Sequence, residues 1–115
     1  MAPSVVVTQQ VPAVELDQLP PEAVLLDVRE DDEWEAGHAP QAVHLPMGDI
    51  PTRLDELPDG TSFVICRSGG RSARVAAFLN ANGWDAVNVN GGMLGWEASQ
   101  RPLVCEAAGQ QPQVL

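Results

Sequence analysis

The chain has 115 residues and a formal net charge of -10, with 16 acidic residues against six arginines and no lysine. This length predicts one domain with a real core, and the acidic balance excludes proteins that need basic surface, namely those that bind nucleic acid or anionic membranes. The two cysteines are too few for a disulfide framework, so we expect a reduced, cytoplasmic setting. The apolar runs are too short to predict a membrane span or a signal peptide.

Short apolar runs alternate with helical patterns along most of the chain. Runs of this kind are typical of strands buried between helices, and their alternation with helices predicts an α/β fold with a mostly parallel, five-stranded sheet covered on both faces. The predicted domain spans residues 11–105. In chain order we expect a flexible arm at 1–10, a weak strand at 11–14, a strand at 24–26, a helix at 31–36, a strand at 42–45, a helix at 48–57, a strand at 63–65, a helix at 71–82 ending at Gly83, a strand at 86–89, a helix at 93–99 and a polar tail at 106–115.

A cysteine begins the turn between the strand at 63–65 and the helix at 71–82. The turn, Cys-Arg-Ser-Gly-Gly-Arg-Ser at 66–72, is called the Cys66 loop below. Backbone N–H groups of such a turn, and of the helix that follows, can converge on one point and stabilise an anion. We therefore predict that the pKa of Cys66 falls below the free-thiol value of about 8.5. The carboxyl end of a parallel strand is also where sites form in open α/β sheets.

Three of the six arginines, Arg67, Arg71 and Arg74, follow Cys66 within nine residues. A cysteine at a strand end is often a plain core residue, but reactive cysteines occupy electropositive surroundings, so the cluster favours a nucleophile. We predict Cys66 as the catalytic residue. The predicted substrate-binding residues are the rest of the loop, namely Arg67, Ser68, Gly69, Gly70, Arg71 and Ser72.

The loop residues have individual expectations. Arg71 has two open roles, because its planar fork suits two oxygens of an anionic substrate and equally suits an acidic side chain that would brace the loop. Arg67 is expected to point outward, either attracting anions or merely solvated, and Arg74 is expected to be a surface charge. Gly69 and Gly70 are expected to supply a positive φ or a close backbone approach.

Four motifs, in order, resemble the rhodanese family of single-domain sulfurtransferases. Besides the Cys66 loop, residues 27–29 resemble its Asp-x-Arg element, residues 37–42 its Gly-His-x-Pro-x-Ala segment, and residues 91–96 its closing Gly-Gly-x-x-x-Trp. The resemblance covers about residues 12–104 and implies a rhodanese-like fold. It also implies a persulfide on Cys66, no metal or organic cofactor, and supporting or structural roles for Asp27, Arg29, His38 and Trp96, with Trp96 packed on the active-site side of the core.

Loop length separates members of this wider group. Four residues lie between Cys66 and Arg71, whereas the related tyrosine and dual-specificity phosphatases use five. The pattern Cys-Arg-x-Gly-x-Arg resembles the thiosulfate-using form, and the mercaptopyruvate pattern Cys-Gly-Ser-Gly is absent. The resemblance thus implies a small anionic sulfur donor and a thiophilic acceptor such as cyanide, a thiol or a sulfur-relay protein.

Two alternatives stay open beside the sulfurtransferase. One is a rhodanese-like module that carries sulfur or binds a protein without turnover, and the other is a small phosphatase or arsenate reductase. The sequence also leaves two alternative roles open for Cys105. It either accepts sulfur from Cys66 or, as we prefer, is a lone thiol beside the tail.

Overall fold

The computed structural model describes residues 11–115, so the arm predicted at 1–10 lies outside the described residues. Five parallel strands form one sheet in the order β1-β5-β4-β2-β3, which confirms the predicted fold class. The elements are β1 (Ala13–Val14), β2 (Val24–Asp27), α1 (Asp31–Ala36), β3 (Ala42–His44), β4 (Ser62–Ile65), α2 (Gly70–Ala81), β5 (Ala86–Val89) and α3 (Gly92–Ala98).

The core has two halves because successive strand residues face opposite sides of the sheet. Val64 belongs to the half that also contains Cys66 and the buried face of α2. Its neighbour Ile65 belongs to the other half, together with Trp96 from α3. The structure therefore corrects the expectation that Trp96 packs on the active-site side: α3 covers the sheet face opposite α2, and the indole follows it there.

Residues 48–57 do not form one continuous helix as predicted. They form two 3₁₀-helices, Met47–Thr52 and Leu54–Glu56, and Pro51 inside the first one lacks the N–H group that an α-helix would need. The other helices begin and end within one residue of the prediction. Gly83 follows the last turn of α2 with a φ of 91°, as expected for a residue that ends a helix.

The segment at 106–115, predicted as a polar tail, lies against the body of the protein. The Gln113 N–H donates to the Ala36 carbonyl at 2.9 Å, and Val114 packs against the core half beneath α3. A Cβ on Gly37 would collide with the backbone of Gln113, so this glycine allows the close approach. Within residues 11–115, the helices fall short of the length and apolar character of a membrane span.

Candidate active site around Cys66

Cys66 follows β4 directly, at the carboxyl edge of the sheet, and is only 1 % exposed. Two backbone N–H groups donate to its Sγ, that of Gly69 at 3.1 Å and that of Ser72 at 3.3 Å. The Ser72 Oγ lies 3.2 Å from the same sulfur. The hydrogen-bond partners of the sulfur are therefore two amides, as the sequence predicted, and a hydroxyl, which the sequence analysis did not indicate.

These contacts act against the effect of burial on Cys66. Burial raises the pKa of the thiol because a medium of low polarity disfavours the thiolate. Hydrogen bonds from the Ser72 hydroxyl and from the N–H groups of Ser72, Gly69 and Ser68 lower the pKa and outweigh burial. The net result is a pKa below the ordinary value, so more of the nucleophilic thiolate is present at a given pH.

The first turn of α3 explains why amides rather than carbonyls face the sulfur. The Met93 N–H donates to the Cys66 carbonyl at 2.8 Å, and the Leu94 N–H donates to the Arg67 carbonyl at 3.0 Å. Gly92 permits this approach, because a Cβ there would lie 2.5 Å from both carbonyl oxygens. The two carbonyls are thus directed toward α3, away from Sγ. Sequence reasoning identified the Gly-Gly pair only as part of a motif and missed this role.

The two loop glycines differ. Gly69 has a φ of 117°, a conformation that a side chain disfavours, and its N–H group is one of the two that contact Sγ. Gly70 begins α2 without a positive φ, and a Cβ there would meet nothing within 4 Å. The expectation of a special backbone is therefore met at Gly69 and is wrong at Gly70.

Asn88 joins the site, although the sequence analysis did not select it. It lies on β5 in register with Val64 and is 6 % exposed. Its Oδ1 accepts the Ser72 hydroxyl at 2.5 Å, and its Nδ2 donates to the Gly69 carbonyl at 3.4 Å. Its carboxamide therefore touches both residues whose N–H groups face Sγ. A polar residue inside the apolar run at 86–89 was the available signal.

Arg71 is bound by Glu33 of α1 through two parallel hydrogen bonds. Nη1 lies 2.7 Å from Oε1 and Nη2 lies 2.9 Å from Oε2. The hydrogen bonds from Arg71 are the largest influence on the Glu33 carboxyl and hold its pKa at about 2, against partial burial that raises it. Of the two open roles of Arg71, the structure shows the brace. Substrate contact through its remaining N–H groups stays a prediction.

Asp27 and Arg29 form a buried ion pair behind this brace, with Nη2 2.8 Å from Oδ2 and both side chains fully buried. Arg29 also donates to the Glu33 carbonyl at 3.3 Å and to the Gly37 carbonyl at 2.8 Å. It therefore fixes the backbone of α1 that carries Glu33. This contact fits the supporting role that the family resemblance implied.

Arg67, Ser68 and Arg74 are exposed, so the outward position expected for Arg67 agrees with the structure. Arg67 Nε donates to the Leu115 carbonyl at 2.8 Å, a contact with the docked tail that the sequence did not indicate. Whether Arg67 attracts anions stays a prediction.

His38 and Cys105 have side chains that could act in catalysis, but their hydrogen-bond partners lie outside the Cys66 loop. His38 stacks on Trp34 with ring centroids 3.5 Å apart, and its Nε2 lies 2.7 Å from a carboxylate oxygen of Glu106. These contacts belong to the fold and fit a structural histidine. Cys105 donates its thiol hydrogen toward the carbonyls of Ala107 and Gln110, both at 3.4 Å.

Comparison with known proteins shows the family of the chain. The family model described as "Rhodanese-like domain" matches residues 13–99. A candidate sulfurtransferase of Bacillus subtilis, YtwF, is 49% identical over 82 residues, which cover 70% of this chain and 80% of the relative. A candidate sulfur carrier protein of the same organism, YrkF, is 40% identical over 74 residues, 63% of this chain and 40% of the relative. The crystal structure of a rhodanese-like domain protein from Staphylococcus aureus has a TM-score of 0.74 and 33% identity, covering 84% of this chain and 100% of that one.

Proposed function

This chain belongs to the rhodanese-like domain family, and we propose that it moves the outer sulfur of thiosulfate, or of a similar small anionic donor, to a thiophilic acceptor through a persulfide on Cys66. Relatives named for sulfur transfer and sulfur carriage support the general activity. The choice of donor and the intermediate are our proposal. The observation that carries it is the Cys66 sulfur held by two amides and a hydroxyl.

In the first step, the Cys66 thiolate attacks the outer sulfur of thiosulfate. A bond forms between Sγ and that sulfur, and the bond between the outer and the central sulfur atoms of thiosulfate breaks. Sulfite leaves as a dianion with the electron pair of the broken bond, Sγ becomes neutral, and the outer sulfur of the new persulfide carries one negative charge. The total charge is the same before and after, and the step requires no added oxidant or proton.

In the second step, an acceptor such as cyanide or a thiolate attacks the outer sulfur of the persulfide. Thiocyanate, or a persulfide of the acceptor, leaves, and Cys66 returns as the thiolate. A sulfur-relay protein with a reactive thiol fits the same step. Because the cycle begins from and returns to a free Cys66 thiolate, a reduced cytoplasmic setting is part of the proposal.

We propose that the backbone N–H groups of the Cys66 loop bind the sulfur donor and stabilise the outer sulfur of the persulfide. The N–H groups of the Cys66 loop, Arg67 through Ser72, provide hydrogen bonds without bringing a competing carboxylate. Arg67 adds an exposed guanidinium on a chain of strongly negative net charge. The other loop residues in this assignment are Ser68, Gly69, Gly70 and Arg71.

Intact mass measurement tests the proposal directly. Three proteins are compared: the wild type, Cys66→Ser and Cys105→Ser. Each is incubated with thiosulfate in the absence of reductant and desalted, and its intact mass is measured by mass spectrometry. We expect one added sulfur atom on the wild-type protein and on Cys105→Ser, none on Cys66→Ser, and loss of the added mass when cyanide follows. An unchanged wild-type mass overturns thiosulfate as the donor.

The sulfur carrier remains the second candidate, because one relative is named as such. Repeated turnover separates the two. Thiocyanate formed in many-fold excess over protein supports an enzyme, whereas one equivalent followed by no further product favours a carrier. Hydrolysis of an aryl phosphate without sulfur loading would instead support the phosphatase alternative.

A further inference from the structure

The Ser72 hydroxyl lies among three polar neighbours. Its Oγ is 2.5 Å from Asn88 Oδ1 and 3.2 Å from both Cys66 Sγ and the Gly69 carbonyl oxygen. A hydroxyl group has only one hydrogen to donate. The Gly69 carbonyl already accepts the Ala73 N–H at 3.1 Å, so Asn88 and an anionic Cys66 sulfur are the two acceptors that compete for this hydrogen.

Two arrangements satisfy these atoms, one for each charge state of the sulfur. When Cys66 is a thiol, its S–H group donates to Ser72 Oγ, and the Ser72 O–H group donates to Asn88. When Cys66 is a thiolate, the Ser72 O–H group turns toward Sγ, and Asn88 Oδ1 loses its donor. A buried acceptor without a partner is unfavourable, so Asn88 opposes the second arrangement.

Asn88 is too well fixed to follow the hydroxyl. Its backbone is paired with β4 on one side, and its N–H group donates to the Pro12 carbonyl at 2.8 Å on the other. Its Nδ2 atom faces the Gly69 carbonyl, which sets the orientation of the amide with Oδ1 toward Ser72. The moving part is the Ser72 hydroxyl hydrogen, which changes partner by rotation about one bond.

We propose that Asn88 is a positioning residue for sulfur transfer, which accepts the Ser72 hydroxyl hydrogen whenever negative charge leaves the Cys66 sulfur. This inference rests on the proposed function. As Sγ bonds to the donor sulfur, charge passes outward and the hydroxyl turns to Asn88. As the acceptor removes the outer sulfur, charge returns to Sγ and the hydroxyl turns back. Ser72 and Asn88 exchange no proton and form no covalent bond.

The consequence concerns the reactivity of the thiolate rather than its amount. A thiolate that is held only by donors has a low pKa but is also a weaker nucleophile. With Asn88 present, the hydrogen bond that Sγ loses during attack is replaced by one between Ser72 and Asn88. The gain exists in the transition state and not in the resting thiolate, which is the condition for acceleration.

Few charged groups face the loop, so its pH dependence can be interpreted. Arg71 approaches from α2 and is paired with Glu33 of α1, while Glu30 precedes α1. Arg67 is exposed on the loop itself. Replacing Asn88 with an uncharged residue leaves all four in place.

The experiment uses the full chain with Cys105→Ser, so that Cys66 is the only thiol. The rate of alkylation by iodoacetamide is measured against pH. We expect Asn88→Ala to lower the pKa of Cys66 by about half a pH unit to one pH unit, the equivalent of one hydrogen bond. The rate of sulfur uptake from thiosulfate per thiolate is expected to fall by about threefold to tenfold.

Two further variants make the measurement specific. In a Ser72→Ala background, Asn88→Ala should leave the pKa of Cys66 unchanged, because the shared hydrogen is gone. Asn90→Ala is the matched control, since Asn90 directly follows β5 and its Nδ2 donates to a Glu15 side-chain oxygen at 2.7 Å. It should change neither the pKa nor the rate.

An unchanged or raised pKa of Cys66 in Asn88→Ala overturns the proposal and leaves Asn88 as a brace only. If Asn88→Ala does not fold, Asn88→Asp is measured instead. Its carboxylate attracts the hydroxyl more strongly and adds negative charge, so the pKa must rise, and a fall overturns the proposal. Alkylation uses no sulfur donor, so a failure of thiosulfate turnover leaves this result independent.

Discussion

The two cysteines of this chain have opposite surroundings. Sγ of Cys66 receives hydrogen bonds from the N–H groups of Gly69 and Ser72, whereas, within residues 11–115, the hydrogen-bond partners of Cys105 Sγ are the carbonyl oxygens of Ala107 and Gln110. An amide offers a hydrogen to a thiolate, and a carbonyl offers only a lone pair. The same side chain thus accepts hydrogen bonds from backbone amides at one position and donates toward backbone carbonyls at the other.

The difference lies in the backbone rather than in nearby charge. The guanidinium of Arg71, in the first turn of α2, is paired with the carboxylate of Glu33. What distinguishes Cys66 is the direction of its neighbouring peptide groups, with carbonyls bound by α3 and amides left for the sulfur. Backbone amides can therefore lower the pKa of a thiol even in a chain rich in acidic residues.

The largest difference between the two cysteines is expected when each thiol is removed in turn. Cys66→Ser should reduce thiocyanate formation from thiosulfate and cyanide by roughly a thousandfold or more, because the covalent intermediate is lost. Cys105→Ser should retain the wild-type rate. Steady-state kinetics with circular dichroism as a folding check measures both. A large loss in Cys105→Ser would mean that the second thiol takes part.

Glycine substitution tests the amide arrangement itself. Gly69→Ala places a side chain at a φ of 117°, so we expect a loss of about 1–2 kcal/mol in stability and, because its N–H group shifts away from Sγ, about a tenfold loss in kcat/KM. Gly60→Ala is the matched control, since Gly60 has a φ of 85° with open space around it. Both variants should lose stability in chemical denaturation, but only Gly69→Ala should lose rate. Equal rates in the two would show that the Gly69 amide is dispensable.

The brace around Arg71 predicts a pH effect on stability. The pKa of Glu33 is lowered from 4.5 to about 2 in the folded protein, so its contribution is complete above pH 4.5 and is lost as the pH falls toward 2. Glu33→Gln should therefore reduce the free energy of unfolding by about 1–3 kcal/mol at neutral pH. Urea unfolding of both proteins along this pH range measures the difference, which should shrink on acidification. A difference that does not change with pH contradicts the brace.

The smallest effect is expected at Arg67. Its exposed guanidinium can only raise the local concentration of an anionic donor, so Arg67→Ala should lower kcat/KM for thiosulfate by about twofold to fivefold at low salt. The loss should disappear as ionic strength rises. Arg53→Ala is a suitable control, because Arg53 is paired on the surface with Glu56. A salt-independent loss at Arg67 would indicate direct contact with the donor.

The sequence predicted the features that depend on near neighbours. The alternation of apolar runs with helical patterns was sufficient for the parallel sheet, and the strand-to-helix turn was sufficient to predict amides around the Cys66 sulfur. The prediction of one helix at residues 48–57 was wrong, because Pro51 interrupts the backbone hydrogen bonds that such a helix needs. The side of the sheet on which Trp96 packs was also wrong, because helix periodicity does not say which face a helix covers.

The features that the sequence missed join distant residues. Asn88 meets Ser72 across 16 positions, and Glu33 meets Arg71 across 38. Such pairs follow from strand order, which places β5 beside β4 and β2 on its other side. Short-range patterns carry no direct signal for them, so the mutual arrangement of donors and acceptors around the sulfur follows only from the folded structure.

The dependence of the Cys66 loop on α3 has a consequence for synthesis of the chain. The ribosome releases residues 66–72 well before Met93 and Leu94, whose N–H groups bind the loop carbonyls. Asn88 and its strand β5 also emerge later. A nascent chain that stops short of these residues therefore exposes a cysteine whose peptide groups are not yet oriented, and nucleophilic character should be acquired only when the last strand and helix have joined the sheet. Chains stalled at successive lengths would display this acquisition as a late, abrupt gain of thiol reactivity.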